Sequence, residues 1–134
     1  MHRYFLSAAA IMGGLAVVLG AFGAHALKQH LGPDTLAVYE TGVRYQIYHA
    51  FALALAGILY GSYPNRWIRR SGQLFLVGTF LFSGSLYLLT LGGDWQQWPV
   101  RWAGPVTPLG GLCLIAGWFC LIPGIRGKQE SGKL

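Results

Sequence analysis

Four apolar runs, each about 20 residues long, constrain this chain more than any other feature. They cover approximately residues 4–27, 41–60, 73–91 and 104–122. A helix needs roughly 20 mostly apolar residues to cross the hydrocarbon core of a bilayer. Backbone groups in lipid must also find their hydrogen-bond partners within the protein, which favours helices. We therefore predict an all-α integral membrane four-helix bundle, with residues 1–134 forming a single domain.

The composition agrees with lipid as the main solvent. Charged residues make up 10% of the chain and apolar residues 54%, whereas a soluble domain carries about 25% charged residues. Glycine, which is common in transmembrane helices, occurs 20 times. A net charge of +6 could indicate nucleic-acid binding. However, the basic residues lie in short clusters between apolar runs, with no room for a basic face, so we expect no nucleic-acid partner.

The first run has an alternative interpretation as a secretory signal. Arg3 precedes it, and Ala24-His25-Ala26 resembles a signal-peptidase site. The apolar region of a signal peptide is only about 7–15 residues long, and this run is longer. We therefore predict that the segment is a retained transmembrane helix.

The charge distribution predicts the direction of the helices. With four spans, the N-terminus, the middle loop and the C-terminus share one side of the membrane. That side holds seven basic residues: Arg3, Arg66, Arg69, Arg70, Arg126, Lys128 and Lys133. The other side holds three: Lys28, Arg44 and Arg101. Because basic residues concentrate on the cytoplasmic side, we predict a multi-pass protein of the bacterial inner membrane with both termini in the cytoplasm.

Small residues recur at spacings of three and four in several of these runs, as is typical of closely packed transmembrane helices. Such a spacing predicts that the helices form a tight bundle. The clearest series are Ala16, Gly20 and Ala24 in the first run, and Gly110, Cys113 and Gly117 in the fourth.

Polar residues are concentrated where the predicted helices approach the outer surface. A charge at the bilayer centre costs roughly 2.5–3.5 kcal/mol on insertion scales, so an ionisable residue inside a span is a candidate functional group. We predict that these side chains converge at one level and bind a ligand, and that the cytoplasmic half is almost without polar groups. The candidates are His25, Glu40, Arg44, Tyr45, Tyr48, His49, Ser83, Ser85 and Tyr87.

Several alternatives remain open for the histidines. His49 is either a functional group or a structural histidine whose two ring nitrogens are hydrogen-bonded within the protein. His25 and His49 at similar depth could act as axial haem ligands. A zinc site normally needs three or four ligands, to which His30 and Asp34 could contribute. No catalytic arrangement is visible, so we expect no enzyme activity, no metal and no cofactor.

Four ordered motifs resemble a known family. They are "LGAFGAHAL", "YQIYHAFALAL", "LFSGSLYLLTLGG" and "TPLGGLCLIAGW". In this order and spacing they resemble the YgdD/YwdK-like family of small bacterial inner-membrane proteins, also called domain of unknown function four-two-three. The resemblance implies a four-helix membrane protein without an established activity. Its motif positions fall here on Gly20, Gly23, His25, Tyr48, His49, Ser83, Ser85, Tyr87, Pro108, Gly110, Gly111, Gly117 and Trp118. Ala26 stands where the motif commonly has a third glycine.

Three functions compete at this point. The first is a structural or accessory membrane protein that contacts lipids and either another membrane protein or further copies of itself. The second is a carrier of a small amphiphile, a quinone or a lipid headgroup, held by Arg44, Tyr48, His49 and Tyr87. The third is transport, which would require an oligomer because four spans are few for a pore.

Overall fold

The computed structural model describes residues 1–92 and 103–127, and this part of the chain contains only helices. Helix α1 spans Arg3–His25 and is followed by a short 3-10 turn, Leu27–Gln29. Helix α2 spans Pro33–Ser62, α3 spans Arg66–Leu91 and α4 spans Ala103–Arg126. The predicted all-helical class is therefore confirmed. Arg101, Lys128 and Lys133 of the charge count lie outside the described residues.

Helices α2 and α3 begin seven to eight residues before the apolar runs that predicted them, at Pro33 and Arg66. Pro33 occupies the first turn of α2, where a missing N–H costs nothing. The side chain of Asn65 caps α3, since its Oδ1 accepts hydrogen bonds from the backbone N–H groups of Trp67 and Ile68 at 3.0 and 3.1 Å. The caps, and not the apolar residues, set where these helices start.

The helices alternate in direction, and each packs against the next along the chain. At one end of the molecule, Met1 lies beside Gly61 and the ring of Phe5 lies against Gly72. At the same end, Ile68 of α3 packs against Gly124 of α4. We call this the basic end, because five arginines lie there and no acidic residue of the described chain does. They are Arg3, Arg66, Arg69, Arg70 and Arg126.

Small residues allow the closest helix contacts, mainly between α3 and α4. A Cβ atom placed on Gly110 would overlap the backbone of Phe82, and Gly117 lies directly against the ring of Phe75. The small-residue series are confirmed only in part. Ala24 is exposed, whereas Cys113 is partly buried and packs with Leu114 against Gly78 of α3.

Three helical segments of the described chain are long and apolar enough to cross a membrane, namely Arg3–Gln29, Arg66–Leu91 and Ala103–Arg126. Helix α2 does not meet that criterion, because its first half carries charged and polar residues. It has 30 residues, which corresponds to about 45 Å of helix. The hydrocarbon core of a bilayer is about 30 Å thick. Helix α2 is therefore long enough to cross it, although its first half carries charged and polar residues.

Candidate functional site

The structure divides the nine predicted site residues by burial. His49, Ser83 and Ser85 are buried, and Tyr87 is half-buried. The other five are exposed on the protein surface: His25, Glu40, Arg44, Tyr45 and Tyr48. The buried residues contact different neighbours. His49 belongs to one cluster, Ser83 and Tyr87 belong to a second, and Ser85 pairs with Thr107 of α4.

The first cluster surrounds His49, which is 5% exposed. Its Nδ1 lies 2.8 Å from the carbonyl oxygen of Tyr45, one helical turn away. The indole N–H of Trp118, on α4, donates to Nε2 across 3.1 Å. A carbonyl only accepts and an indole N–H only donates, so both bonds form only in the neutral tautomer with its proton on Nδ1. His49 therefore links α2 to α4 and has both ring nitrogens occupied.

Trp118 was not among the predicted site residues. The sequence does not show which face of α4 meets α2. The only indication that Trp118 belongs to the site was therefore its position in the family motif. Its ring also packs edge-on against Phe75, with centroids 5.1 Å apart. Phe75 lies against His49 as well, at 5.8 Å between ring centroids. These three rings tie α2, α3 and α4 together at one height.

The second cluster connects α1, α2 and α3 through Gln46. The hydroxyl of Tyr87 donates to Gln46 Oε1 at 2.7 Å, and Gln46 Nε2 donates to the carbonyl oxygen of Met12 at 2.8 Å. Ser83 donates to the carbonyl of Gly42 at 2.6 Å. Ser83 and Tyr87 were predicted site residues, whereas Gln46, a buried amide in the middle of α2, was not. This network joins three helices through a single side chain.

Tyr39 extends the second cluster toward the end opposite the basic end. Its side chain is completely buried, and its hydroxyl donates to the carbonyl of Leu19 on α1 at 2.6 Å. Gly23 provides the space for its ring, since a Cβ atom there would lie 2.6 Å from a ring carbon. The ring centroid of Tyr39 lies 5.4 Å from that of Tyr87. The sequence analysis missed Tyr39 because it precedes the apolar run.

Buried polar contacts also occur near the basic end, which corrects the prediction that this half is almost without polar groups. Ser71 donates to the carbonyl of Gly117 at 2.8 Å. Asn65 Nδ2 donates to the carbonyl of Gly124 at 2.7 Å, in addition to capping α3. Toward the opposite end, Ser85 pairs with the hydroxyl of Thr107. Helices α3 and α4 are therefore linked by side-chain hydrogen bonds along most of their length.

Among the exposed candidates, Tyr45 joins the first cluster, because its carbonyl oxygen and its ring both contact His49. His25 lies far from that cluster. His25 is the last residue of α1 and lies close to Gly23, which contacts Tyr39 of α2. The residue after His49 on α2 lies instead beside Gly13, much earlier in α1. About ten residues of helix, or roughly 15 Å, therefore separate the heights of His25 and His49. The expectation that they lie at similar depth is wrong, because the register of α1 on α2 offsets them. The described residues contain no group of three His, Cys, Asp or Glu side chains arranged to hold a metal.

Glu40 and Arg44 lie one helical turn apart on α2 and are both exposed. The described residues show no ion pair between them. Without that pair, an exposed arginine can extend its side chain toward the membrane interface.

Two surface grooves accompany the two clusters. The α1–α3 groove has Gln46 and Tyr87 among its lining residues and a volume of about 280 Å³. The α2–α4 groove has His49 and Trp118 among its lining residues and a volume of about 360 Å³. Tyr87 and His49 thus line different grooves, and no described groove contains both.

Comparison with known proteins identifies related chains. Residues 19–111 match the family model "Protein of unknown function (DUF423)". The UPF0382 inner membrane protein YgdD of Escherichia coli K12 is 37% identical over 130 residues, which cover 96% of this chain and 95% of YgdD. The UPF0382 membrane protein SH2409 of Staphylococcus haemolyticus is 38% identical over 120 residues, covering 90% and 93% of the two chains. No solved structure matches the chain.

Proposed function

Because the chain belongs to the DUF423 family, we propose that it is a multi-pass inner-membrane protein whose four helices all cross the bilayer, with both termini in the cytoplasm. The direction is supported by the basic end, where the five arginines lie at the start of α1, at the start of α3 and at the end of α4. Positive residues favour the cytoplasmic side of a membrane.

Helix α2 has the weakest apolar composition, so its crossing is supported mainly by packing. Near the basic end, Gly57 of α2 contacts Leu6 of α1. Near the other end, Tyr39 of α2 contacts Gly23 of α1. Helix α1 is long and apolar enough to span, and α2 follows it over this whole length. A helix that packs along the whole length of a membrane-spanning helix lies at the same depth in the bilayer as that helix.

Within the membrane, we propose a non-enzymatic structural or accessory role. This proposal rests on the hydrogen bonds that the buried polar side chains form between helices. His49, Gln46, Ser71 and Ser83 each form a hydrogen bond to another helix. In lipid, such bonds and close small-residue contacts hold helices together, because burying apolar surface gains little there. These polar residues therefore stabilise a defined helix arrangement.

The surface of α1 is the part of this arrangement best suited to a partner. Helix α1 packs mainly on α2, and much of its surface faces outward with large apolar side chains. Val18 is 63% exposed and Phe22 is 46% exposed. An accessory protein of this kind would contact another membrane protein, or a second copy of this chain, along that face.

Copurification tests the accessory role. The tagged full-length chain is extracted from native membranes with a polymer that retains surrounding lipid, and associated proteins are quantified by mass spectrometry. We expect a partner or a second copy at constant stoichiometry, lost on Val18→Trp in α1. The matched control is Phe119→Trp at an equally exposed position of α4, which should retain it. A chain that always purifies as a lone monomer would contradict the proposal.

A further inference from the structure

The α1–α3 groove has polar groups on its floor and opens toward lipid. Helices α1 and α3 form its walls, and α2 closes the floor with Gln46. Its rim carries Leu15 and Phe80, which are 52% and 80% exposed. Gln46, Thr79 and Ser83 lie inside and are buried. The volume of about 280 Å³ is close to the lower limit of small-molecule sites, which is roughly 300 Å³.

Thr79 is the unusual residue of this groove. Its side chain is 5% exposed, and its Oγ1 has no hydrogen-bond partner among the residues that the structure describes. The hydroxyls of Thr41, Thr90 and Thr107 each donate to the carbonyl four residues earlier in their own helix. Thr79 makes no such bond. A buried hydroxyl without a partner costs free energy, and that cost is removed if a ligand supplies the acceptor.

Two hydrogen-bond donors on the floor have no partner, in addition to the acceptor lone pairs that its oxygen atoms retain. The Ser83 hydroxyl donates to Gly42, and the Tyr87 hydroxyl donates to Gln46 Oε1. The Gln46 amide uses one of its two N–H groups for Met12. Its second N–H and the Thr79 hydroxyl make no hydrogen bond within residues 1–92 and 103–127. A ligand that pairs with these two donors provides acceptors.

The charge of the lining limits the ligand further. No Asp, Glu, Lys, Arg or His side chain lines the groove. A charged head placed there would lose its hydration without gaining a counter-ion, which is unfavourable. A ligand with an uncharged head that carries an acceptor can pair with the floor donors without burying a charge. An apolar tail on the same ligand would lie in the lipid that the rim of the groove faces.

We propose that the α1–α3 groove binds a neutral amphiphile whose head carries a carbonyl oxygen. The carbonyl accepts a hydrogen bond from the Thr79 hydroxyl, and the second N–H of Gln46 is a further donor on the same floor. The apolar tail leaves past Leu15 and Phe80 into the bilayer. This site includes Ser83 and Tyr87 from the sequence-based candidates but neither His49 nor the exposed Arg44 and Tyr48. It is a binding activity in addition to the proposed accessory role.

Binding is tested on the full-length chain in phosphatidylcholine nanodiscs. The probe is a benzoquinone with a ten-carbon alkyl chain, and the control probe is decylbenzene, which has the same tail and no carbonyl. Affinity is measured from the concentration dependence of the unfolding temperature. Hydrogen bonding is measured separately from the infrared carbonyl band of the quinone, which moves to lower frequency when the oxygen accepts a bond. We expect the quinone, and not decylbenzene, to stabilise the protein.

Two substitutions locate the site. Thr79→Val keeps the side-chain shape and removes the hydroxyl, so it should weaken quinone binding about three- to tenfold and remove the carbonyl band shift. Its control is Thr41→Val, which removes a hydroxyl bonded within its own helix, away from the groove. Gly84→Leu should fill the groove and abolish binding, since a Cβ there meets no atom within 4 Å. Its control is Gly14→Leu, an equally open position outside the groove.

Each result either supports or overturns the proposal. Loss of binding in Thr79→Val and Gly84→Leu, with both controls like wild type, supports it. Wild-type affinity in both groove variants overturns it. Equal stabilisation by decylbenzene also overturns it, because the groove would then accept an alkyl chain without recognising a carbonyl. The nearly isosteric Thr79→Val variant keeps the test decisive if Gly84→Leu fails to fold.

Discussion

The hydrogen bond between Trp118 and His49 provides the most specific test of the structural role assigned to the buried polar residues. It joins α2 to α4 at a donor–acceptor distance of 3.1 Å. Trp118→Phe removes the indole N–H and keeps an aromatic ring, and His49→Leu removes the acceptor and keeps a side chain of similar size. A double-mutant cycle on these two changes isolates the pairwise interaction.

The expected magnitudes follow from the contacts. His49→Leu loses the bond to Trp118 and the ring packing on Phe75 and leaves an indole N–H without its partner. A donor left unpaired costs roughly 1–3 kcal/mol, so we expect a loss of about 2 kcal/mol in the free energy of unfolding. Hydrogen bonds between membrane helices contribute about 0.6 kcal/mol on average and at most about 1.7 kcal/mol. The coupling energy should fall within that range.

The assay is reversible unfolding of the purified chain in mixed micelles, in which the fraction of an unfolding detergent is raised and helix content is followed by circular dichroism. The control cycle pairs Trp118→Phe with His25→Leu. His25 is exposed at the end of α1, so this pair should be additive within about 0.5 kcal/mol. A His49–Trp118 coupling energy that is indistinguishable from the control cycle would refute the reasoning.

Two further predictions concern the α3–α4 interface. Gly110→Ala should be less stable than Gly111→Ala by about 1–3 kcal/mol, measured with the same unfolding assay. Both changes improve helix propensity equally, but only the methyl group at 110 would overlap the backbone of Phe82, whereas at 111 it makes an ordinary contact 3.7 Å from the ring. Equal stability of the two would contradict the close approach. Asn65→Ala should lose roughly 1.5–3 kcal/mol, because it removes both the cap of α3 and the bond to the Gly124 carbonyl. Asn65→Ser keeps a capping oxygen and should recover about 1 kcal/mol, and a Ser variant no more stable than Ala would show that the cap contributes nothing.

The sequence predicted the helices well because apolar runs of membrane length have few alternative structures. The apolar runs alone placed the starts of α2 and α3 less accurately, since those depend on Pro33 and on the Asn65 cap. The segment Gly32-Pro33-Asp34 predicts a start of α2 near Thr35, two residues from the observed one. The dipeptide Pro64-Asn65 in the middle loop also predicts the end of a helix. The sequence did not reveal that the same asparagine starts the next helix and reaches Gly124, because that contact depends on how α4 packs.

Most residues of the candidate site could be predicted from the sequence, but not which of them contact each other. Ser83 and Tyr87 belong to one hydrogen-bonded network and His49 to another. Tertiary packing decides which faces of α2 and α3 meet α1 and which meet α4, and the helix register offsets His25 from His49. Gln46 and Trp118 were missed because a polar residue in a membrane helix shows its role only through its partner. The partner lies on another helix, 34 or 69 residues away along the chain.

The account depends most directly on whether α2 crosses the membrane. This can be measured with single cysteines at Gln29 and at Pro64, the exposed positions before and after α2, in a chain whose Cys113 and Cys120 are replaced by alanine. Intact cells are treated with a maleimide that cannot cross the inner membrane, before and after the membrane is opened. We predict that Gln29→Cys is labelled in intact cells and that Pro64→Cys is labelled only after opening. Labelling of both positions from the same side would contradict the four-span arrangement and the use of its buried polar groups to join helices within the bilayer.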